Sequence, residues 1–383
     1  MERTSNSVYF DNAATTYPKP EEVYRAVERF MREVGGSAGR SGHRRAVEAG
    51  RVVYSARQAL AGLLGVRDPL RIAFTRNATE AINTAIWGLL KRGDHVVTTS
   101  MEHNSVMRPL HAAAERGINH TVVLCAPDGS LDPARLEDEL RAETALVIVN
   151  HASNLTGTIL PVADAACIAR ERGIPMLVDA AQSVGRVDID VEADGIDMLA
   201  FTGHKELVGM QGTGGLYVRE GIDLMPTCFG GTGSSSSSLE QPGEMPDRLE
   251  SGTLNAVGIA GLEAGVQFVS STGVEEIRAH ELELMGRLLD GLAGIDGVKA
   301  YGPASPESRL GIVALTFDRH GPPDIAEALD SRYGIATRAG LHCTPLAHRT
   351  IGTIETGALR LSFSYLNTGE EVDYLLESLG ELL

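Results

Sequence analysis

The sequence predicts an α/β protein: a mostly parallel sheet, followed by a smaller α+β unit at the C-terminal end. Two observations carry this. Through about the first 300 residues, short runs that are apolar throughout alternate with longer amphipathic segments. Strands without polar alternation belong to a sheet covered by helices on both faces. From residue 256 the rhythm changes to long amphipathic helices and isolated strands.

Taken in order, residues 71–74 (Arg-Ile-Ala-Phe) read as a strand and 78–90 as the helix after it. Residues 95–99 and 146–150 are further apolar strands, and 162–172 forms a helix. Strands follow at 175–179, 197–201 and 215–218. Residues 230–243 break the pattern with clustered glycines and five consecutive serines at 234–238, which build no core and predict a mobile or lid-like loop. Helices at 258–271 and 274–292, strands at 312–317 and 360–364, and a closing helix at 369–382 complete the chain.

The 383 residues carry a net charge of -17, which disfavours nucleic acid or an anionic membrane as partner. No apolar run reaches the ~18–20 residues of a membrane span, and residues 1–6 show no apolar leader segment. The four cysteines (Cys125, Cys167, Cys228, Cys343) form no CxxC pair, so neither a disulfide framework nor a metal cluster is expected, and a reducing cytoplasm fits. Cys125 and Cys167 read as core residues.

The chemistry gathers where predicted strands end. Asp179 closes one strand, and Lys205, in Thr202-Gly203-His204-Lys205, follows the next. A lysine amine that can form a Schiff base and an aspartate that can keep a pyridine nitrogen protonated are what pyridoxal 5'-phosphate requires. A capping aspartate and a surface lysine are the alternatives. Ala78-Thr79 opens a helix after a strand, where backbone N–H groups and the Thr79 hydroxyl suit a phosphate; a capping threonine is the other reading. His103 lies just past a strand end, placed to stack on a flat cofactor and shuttle protons, or to cap a loop. The Asn154 amide, closing another strand-to-loop segment, is placed to bond the cofactor's phenolic oxygen or the substrate, with a turn asparagine as the alternative; Gln182, one turn past Asp179, can reach the same oxygen. Arg360 begins a late strand and suits a carboxylate held bidentately, or a surface ion pair. In Arg338-Ala339-Gly340-Leu341-His342-Cys343, the glycine and the following proline make a turn, and the thiol beside His342 and Arg338 is placed to be a nucleophile, with a passive cysteine as the alternative.

In this order, these residues resemble the class V aminotransferase-type fold of pyridoxal phosphate enzymes (fold type I). Within it they are similar to the cysteine desulfurases of the NifS/SufS kind. The resemblance runs from Tyr9-Phe10-Asp11-Asn12-Ala13-Ala14-Thr15 through Thr79, His103, Asn154, Asp179, Gln182 and Lys205 to Arg248, Glu250, Gly252, Thr253 and Arg360. It implies a large cofactor-binding domain over residues 16–255 with a mostly parallel sheet of the seven-stranded type, and a small α+β domain formed by residues 1–15 and 256–383. It implies that Lys205 carries the cofactor, His103 stacks on the ring, Asp179 pairs with the pyridinium and Gln182 with the phenolic oxygen. Ala78, Thr79, Thr202 and His204 hold the phosphate, joined by Thr253 from a second copy in a homodimer. Arg360, Asn154 and Arg338 bind the substrate carboxylate. Cys343 takes the sulfur of L-cysteine as a persulfide for an acceptor protein, leaving alanine. The Arg-x-Gly-x-His-Cys pattern is similar to the group II branch. Thr202 departs from the serine of many members, and the serine tract matches nothing usual there. Selenocysteine lyases, with L-selenocysteine as substrate, share the loop. Other carbon–sulfur lyases or a true aminotransferase are the remaining readings.

Overall fold

The structure, a computed structural model, describes residues 7–39 and 41–383; residues 1–6, read above for a leader, lie outside it. After a short strand β1 (Val8–Tyr9), the large sheet takes β2 (Ile72–Thr75), β3 (His95–Thr99), β4 (Asn119–Val123), β5 (Thr144–Asn150), β6 (Met176–Asp179), β7 (Met198–Thr202) and β8 (Gly214–Val218). Their order is β2-β8-β7-β6-β5-β3-β4. Only β8 runs against the rest. The small unit holds β9 (Val298–Tyr301), β10 (Ile312–Phe317), β11 (Ile335–Ala336), β12 (Arg338–Gly340) and β13 (Ala358–Ser362). Four of these form an antiparallel sheet in the order β12-β13-β10-β9, while β11 pairs with β1.

The all-apolar strands have the predicted cause. Side chains alternate across a strand, and each face of this sheet meets its own core. Val147 and Val149 of β5 pack with Val97, Met176, Val178 and Phe201, whereas Leu146 and Ile148 face Val96, Leu177, Met198 and Ala200. The third core, in the small unit, joins Val8 and Phe10 to Leu284, Leu288, Val313, Leu361, Phe363 and Leu375, so the N-terminal strand packs with the C-terminal part of the chain. Helix Ala256–Thr272 belongs elsewhere: its Ile259, Leu262 and Val266 join the large core. Gly265 permits that approach, since a Cβ there would fall on the Leu207 carbonyl. This helix thus packs with the large core, although it starts where the expected small domain begins.

Residues 230–243 form bends and turns with no regular element, mostly exposed. The chain beyond them is anchored at Glu250. Arg57, on helix Arg44–Leu63, donates from two nitrogens to the two Glu250 oxygens (2.8 and 3.0 Å) and lies over the Phe74 ring. Glu250 Oε1 also accepts from the Phe74 N–H (2.6 Å). Both side chains are buried. Removing one partner of such a pair leaves an uncompensated charge, so Arg57→Ala should destabilise the fold by about 3–5 kcal/mol, read as a clear fall in the thermal unfolding midpoint.

Candidate active site

The C-terminal ends of the parallel strands form one edge, where ligands bind in open α/β sheets. Register aligns it: Asn150 pairs with Asp179, and Asp179 with Ala200 two residues before Thr202. A pocket opens there. Of the residues expected to hold the cofactor, Ala78, Thr79, His103, Asn154, Asp179, Gln182, Thr202, His204 and Lys205 all line it. Thr253 does not; it is exposed, away from this pocket.

One end of the pocket suits an anion. Helix Ala78–Leu89 is capped by Asn77, whose Oδ1 accepts from the Glu80 N–H (2.9 Å). Asn77, not Thr79, thus takes the capping role. The first-turn N–H groups of Ala78 and Thr79 have no partner within the helix, and the Thr79 hydroxyl is left for a ligand. His204 lies nearby with its Nδ1 buried and unpartnered. Burial, with Lys205 and Lys19 close by, pushes its pKa down to about 4.

Asp179 sits at the pocket floor. Its Oδ1 accepts from the Ala181 N–H (3.0 Å) and its Oδ2 from the Ser105 hydroxyl (3.4 Å). Burial raises its pKa, while those bonds and the Lys205 ammonium oppose the rise. His103 caps helix Asn104–Ala114, its Nδ1 accepting from the Ser105 N–H (3.0 Å). Burial and nearby cations push its pKa down to about 3. The ring is therefore neutral with its proton on Nε2: a flat face and a fixed donor. Beneath it, buried Glu102 accepts from Thr99 Oγ1 (2.7 Å) and the Asn150 N–H (2.9 Å), and its pKa is pushed up to about 8, chiefly by burial. Lys205 is likewise pushed down to about 8, first by burial and then by Arg360 and Arg338, with Asp179 opposing.

The small sheet brings two arginines near Lys205. Arg338 on β12 and Arg360 on β13 are register partners, so both side chains lie on one face. Buried Arg360 donates to Asp11 Oδ1 (2.6 Å) and the Asn154 carbonyl (3.0 Å), and its Nε is left without a partner. Cys343 is exposed on a groove whose wall includes Thr79, His103 and Ser105, all shared with the pocket. His342 is buried, and its pKa is pushed down to about 3, so it supplies no positive charge beside the thiol. Of the two expected core cysteines, Cys125 is buried but Cys167 is exposed. Helix Val162–Glu171 buries Val162, Ala165, Ala166 and Ala169, and position 167 falls on its other side.

Sequence reasoning missed Ser105, which touches both His103 and Asp179, and it placed Asp11 in the N-terminal motif without seeing its grip on Arg360. The signal for Ser105 was its place two residues after a capping histidine.

The chain matches the family model described as Aminotransferase class-V over residues 8–375. The chain belongs to this family. It is 36% identical to a Methanothermobacter thermautotrophicus protein named "Probable cysteine desulfurase", over 98% of this chain and 94% of that one. It is 35% identical to a Salmonella dublin cysteine desulfurase, over 98% and 93%. Among solved structures, the apo cysteine desulfurase from Thermococcus onnurineus superposes with a TM-score of 0.92 at 33% identity, covering 98% of this chain and 94% of that one.

The family uses pyridoxal phosphate, and the residues present fit it. Two buried polar atoms at the pocket, Gln182 Oε1 and His204 Nδ1, lack partners in the protein, which a polar ligand would supply. Gln182 commits one amide N–H to the Ala13 carbonyl (3.0 Å), leaving the other for a phenolic oxygen. Among the described residues, no cluster of His, Cys, Asp or Glu could hold a metal, and no helix is long and apolar enough to cross a membrane.

Proposed function

We propose that the chain is a pyridoxal-phosphate-dependent L-cysteine desulfurase that moves the substrate sulfur onto Cys343 and passes it to an acceptor protein. One observation carries this reading: the pocket containing Lys205 and Asp179 shares a wall with the groove bearing the exposed Cys343. A true aminotransferase has no use for a thiol there.

When bound, pyridoxal phosphate supplies an electron sink for the bonds being broken in the amino acid. The side chains do the rest. The Ala78 and Thr79 N–H groups, the Thr79 and Thr202 hydroxyls and His204 hold the phosphate. Asp179 places negative charge at the floor, and His103 offers its flat face and its Nε2 proton. Arg360 and Arg338, with Asn154, hold the substrate carboxylate; the unpartnered Arg360 Nε is a donor waiting for an acceptor. Lys205 Nζ carries the cofactor and moves the substrate's α-proton. Cys343 Sγ forms the new sulfur–sulfur bond as the substrate Cβ–S bond breaks. L-cysteine and one thiol thus become L-alanine and one persulfide; the thiol proton is made up at Cβ, with no outside oxidant or reductant.

The proposal includes a homodimer, in which the exposed Thr253 reaches the phosphate of a second copy. It also includes a cytoplasmic setting, since the thiol works only when reduced.

Alanine release from L-cysteine and from L-selenocysteine, with a thiol reductant present, tests the reading. Cys343→Ser should lose cysteine turnover by roughly 10³-fold or more, the scale of deleting a nucleophile, while keeping selenocysteine turnover. Equal processing of both substrates by both proteins makes Cys343 a bystander and the enzyme a general carbon–sulfur lyase.

A further inference from the structure

Beside Cys343 runs a chain of hydrogen bonds that the mechanism leaves unused. His342 Nε2 meets the Arg338 carbonyl (3.0 Å), His342 Nδ1 meets His348 Nε2 (3.3 Å), and His348 Nδ1 meets Thr353 Oγ1 (2.7 Å). The two rings lie nearly parallel, 11° apart, and both histidines are buried.

The direction of every link follows from chemistry. A carbonyl only accepts, so His342 carries its proton on Nε2. Burial keeps this imidazole neutral, so its Nδ1 is a bare acceptor. His348 must then donate from Nε2. Burial keeps His348 neutral as well, so its Nδ1 accepts from the Thr353 hydroxyl. The chain has one polarity from end to end.

It holds an unfavourable turn. His342 and Cys343 both adopt left-handed backbone conformations, with φ of 50° and 59°. Two such residues in succession, neither of them glycine, persist only when their surroundings over-determine them. The backbone is tied to the pocket walls: Asn154 Nδ2 donates to the His342 carbonyl and the Asn104 N–H to the Cys343 carbonyl, each at 2.9 Å. The histidine chain ties the turn from the opposite side, linking helix Pro345–Ile351, just after the cysteine, to β12 before it.

We propose that His348 is a positioning residue for Cys343: by donating to His342, it locks the left-handed turn that presents the thiol to the shared groove. This rests on Cys343 being the sulfur-accepting residue.

Hydrogen exchange of the Asn104 and Thr344 amides, which close on this turn, and steady-state alanine formation test it in the holoenzyme. In His348→Phe, both amides should exchange about tenfold faster and kcat should fall about tenfold, the scale of one lost hydrogen bond, while KM for L-cysteine and the cofactor absorbance stay unchanged. His348→Gln, whose amide nitrogen can stand where the imidazole Nε2 does, should restore both. Thr353→Val, which removes the hydroxyl that fixes the His348 tautomer, should fall between them. Should the Phe variant fail to fold, the Gln and Val variants decide by the same exchange. Wild-type protection in His348→Phe, Gln no better than Phe, or a fall in kcat matched by a rise in KM would each overturn the proposal. Cys343→Ser in the same assay separates the two claims: if it keeps cysteine turnover, the role of Cys343 fails, while the amide exchange still decides whether His348 holds the turn.

Discussion

Lys205→Ala is expected to abolish turnover, with a loss of at least roughly 10⁴-fold, because one amine both anchors the cofactor and moves the substrate proton. Lys205→Arg should be no better: it keeps the charge but cannot make the covalent attachment. The amine's environment adds a pH signature. An ammonium with its ordinary pKa of 10.5 would be almost wholly charged at neutral pH. Burial and the two arginines lower the Lys205 pKa to about 8, so about a tenth of the amine is neutral at pH 7. The sign follows: only the neutral amine is nucleophilic, so covalent capture of pyridoxal phosphate by the apoprotein should rise with pH up to about 8 and level off above it. A rate still climbing steeply at pH 10 would show that the amine keeps its ordinary affinity for protons, and that burial does not tune it.

The catalytic edge was legible because strand and chemistry coincide. Asp179 and Thr202 end apolar strands, and residues ending neighbouring parallel strands converge. The β1–β11 pair was not legible, since two-residue strands carry no periodicity. Helix Arg44–Leu63 went unread because its buried face is built of alanines and one arginine as well as larger apolar residues. Nothing local marks Glu250 as buried; only its partner Arg57, 193 positions earlier in the chain, shows why it is. The same holds for Asp11 and Arg360, 349 positions apart. Long-range ion pairs leave no local pattern. Cys167 misled for the opposite reason: residue type favours burial, but helical phase decided its side.

Asp179→Asn is expected to separate binding from chemistry. Asparagine keeps an oxygen for the Ala181 N–H, and the phosphate end is held by other residues, so the cofactor should still bind. What goes is a formal charge in a buried site, where a fixed charge acts strongly. Loss of one such stabilising group typically lowers kcat by 10²–10³, and about that loss is expected here. The charge must be present for the argument to hold. Burial alone raises the pKa of this carboxyl, and only the Ala181 N–H, the Lys205 ammonium and the Ser105 hydroxyl oppose it. A pyridinium would add the decisive partner, because an opposite charge in contact favours the ionised form. The neighbouring Glu102 does not compete for that role. Its pKa of about 8, raised by burial and further by Asp179, leaves it mostly neutral at pH 7, so a single negative charge faces the ring. Asp179→Ala should go further and weaken cofactor binding itself, because the Ala181 N–H then loses its buried acceptor. If Asp179→Asn instead kept full turnover, the ring nitrogen would need no anionic partner, and the carboxylate would be a turn-forming residue.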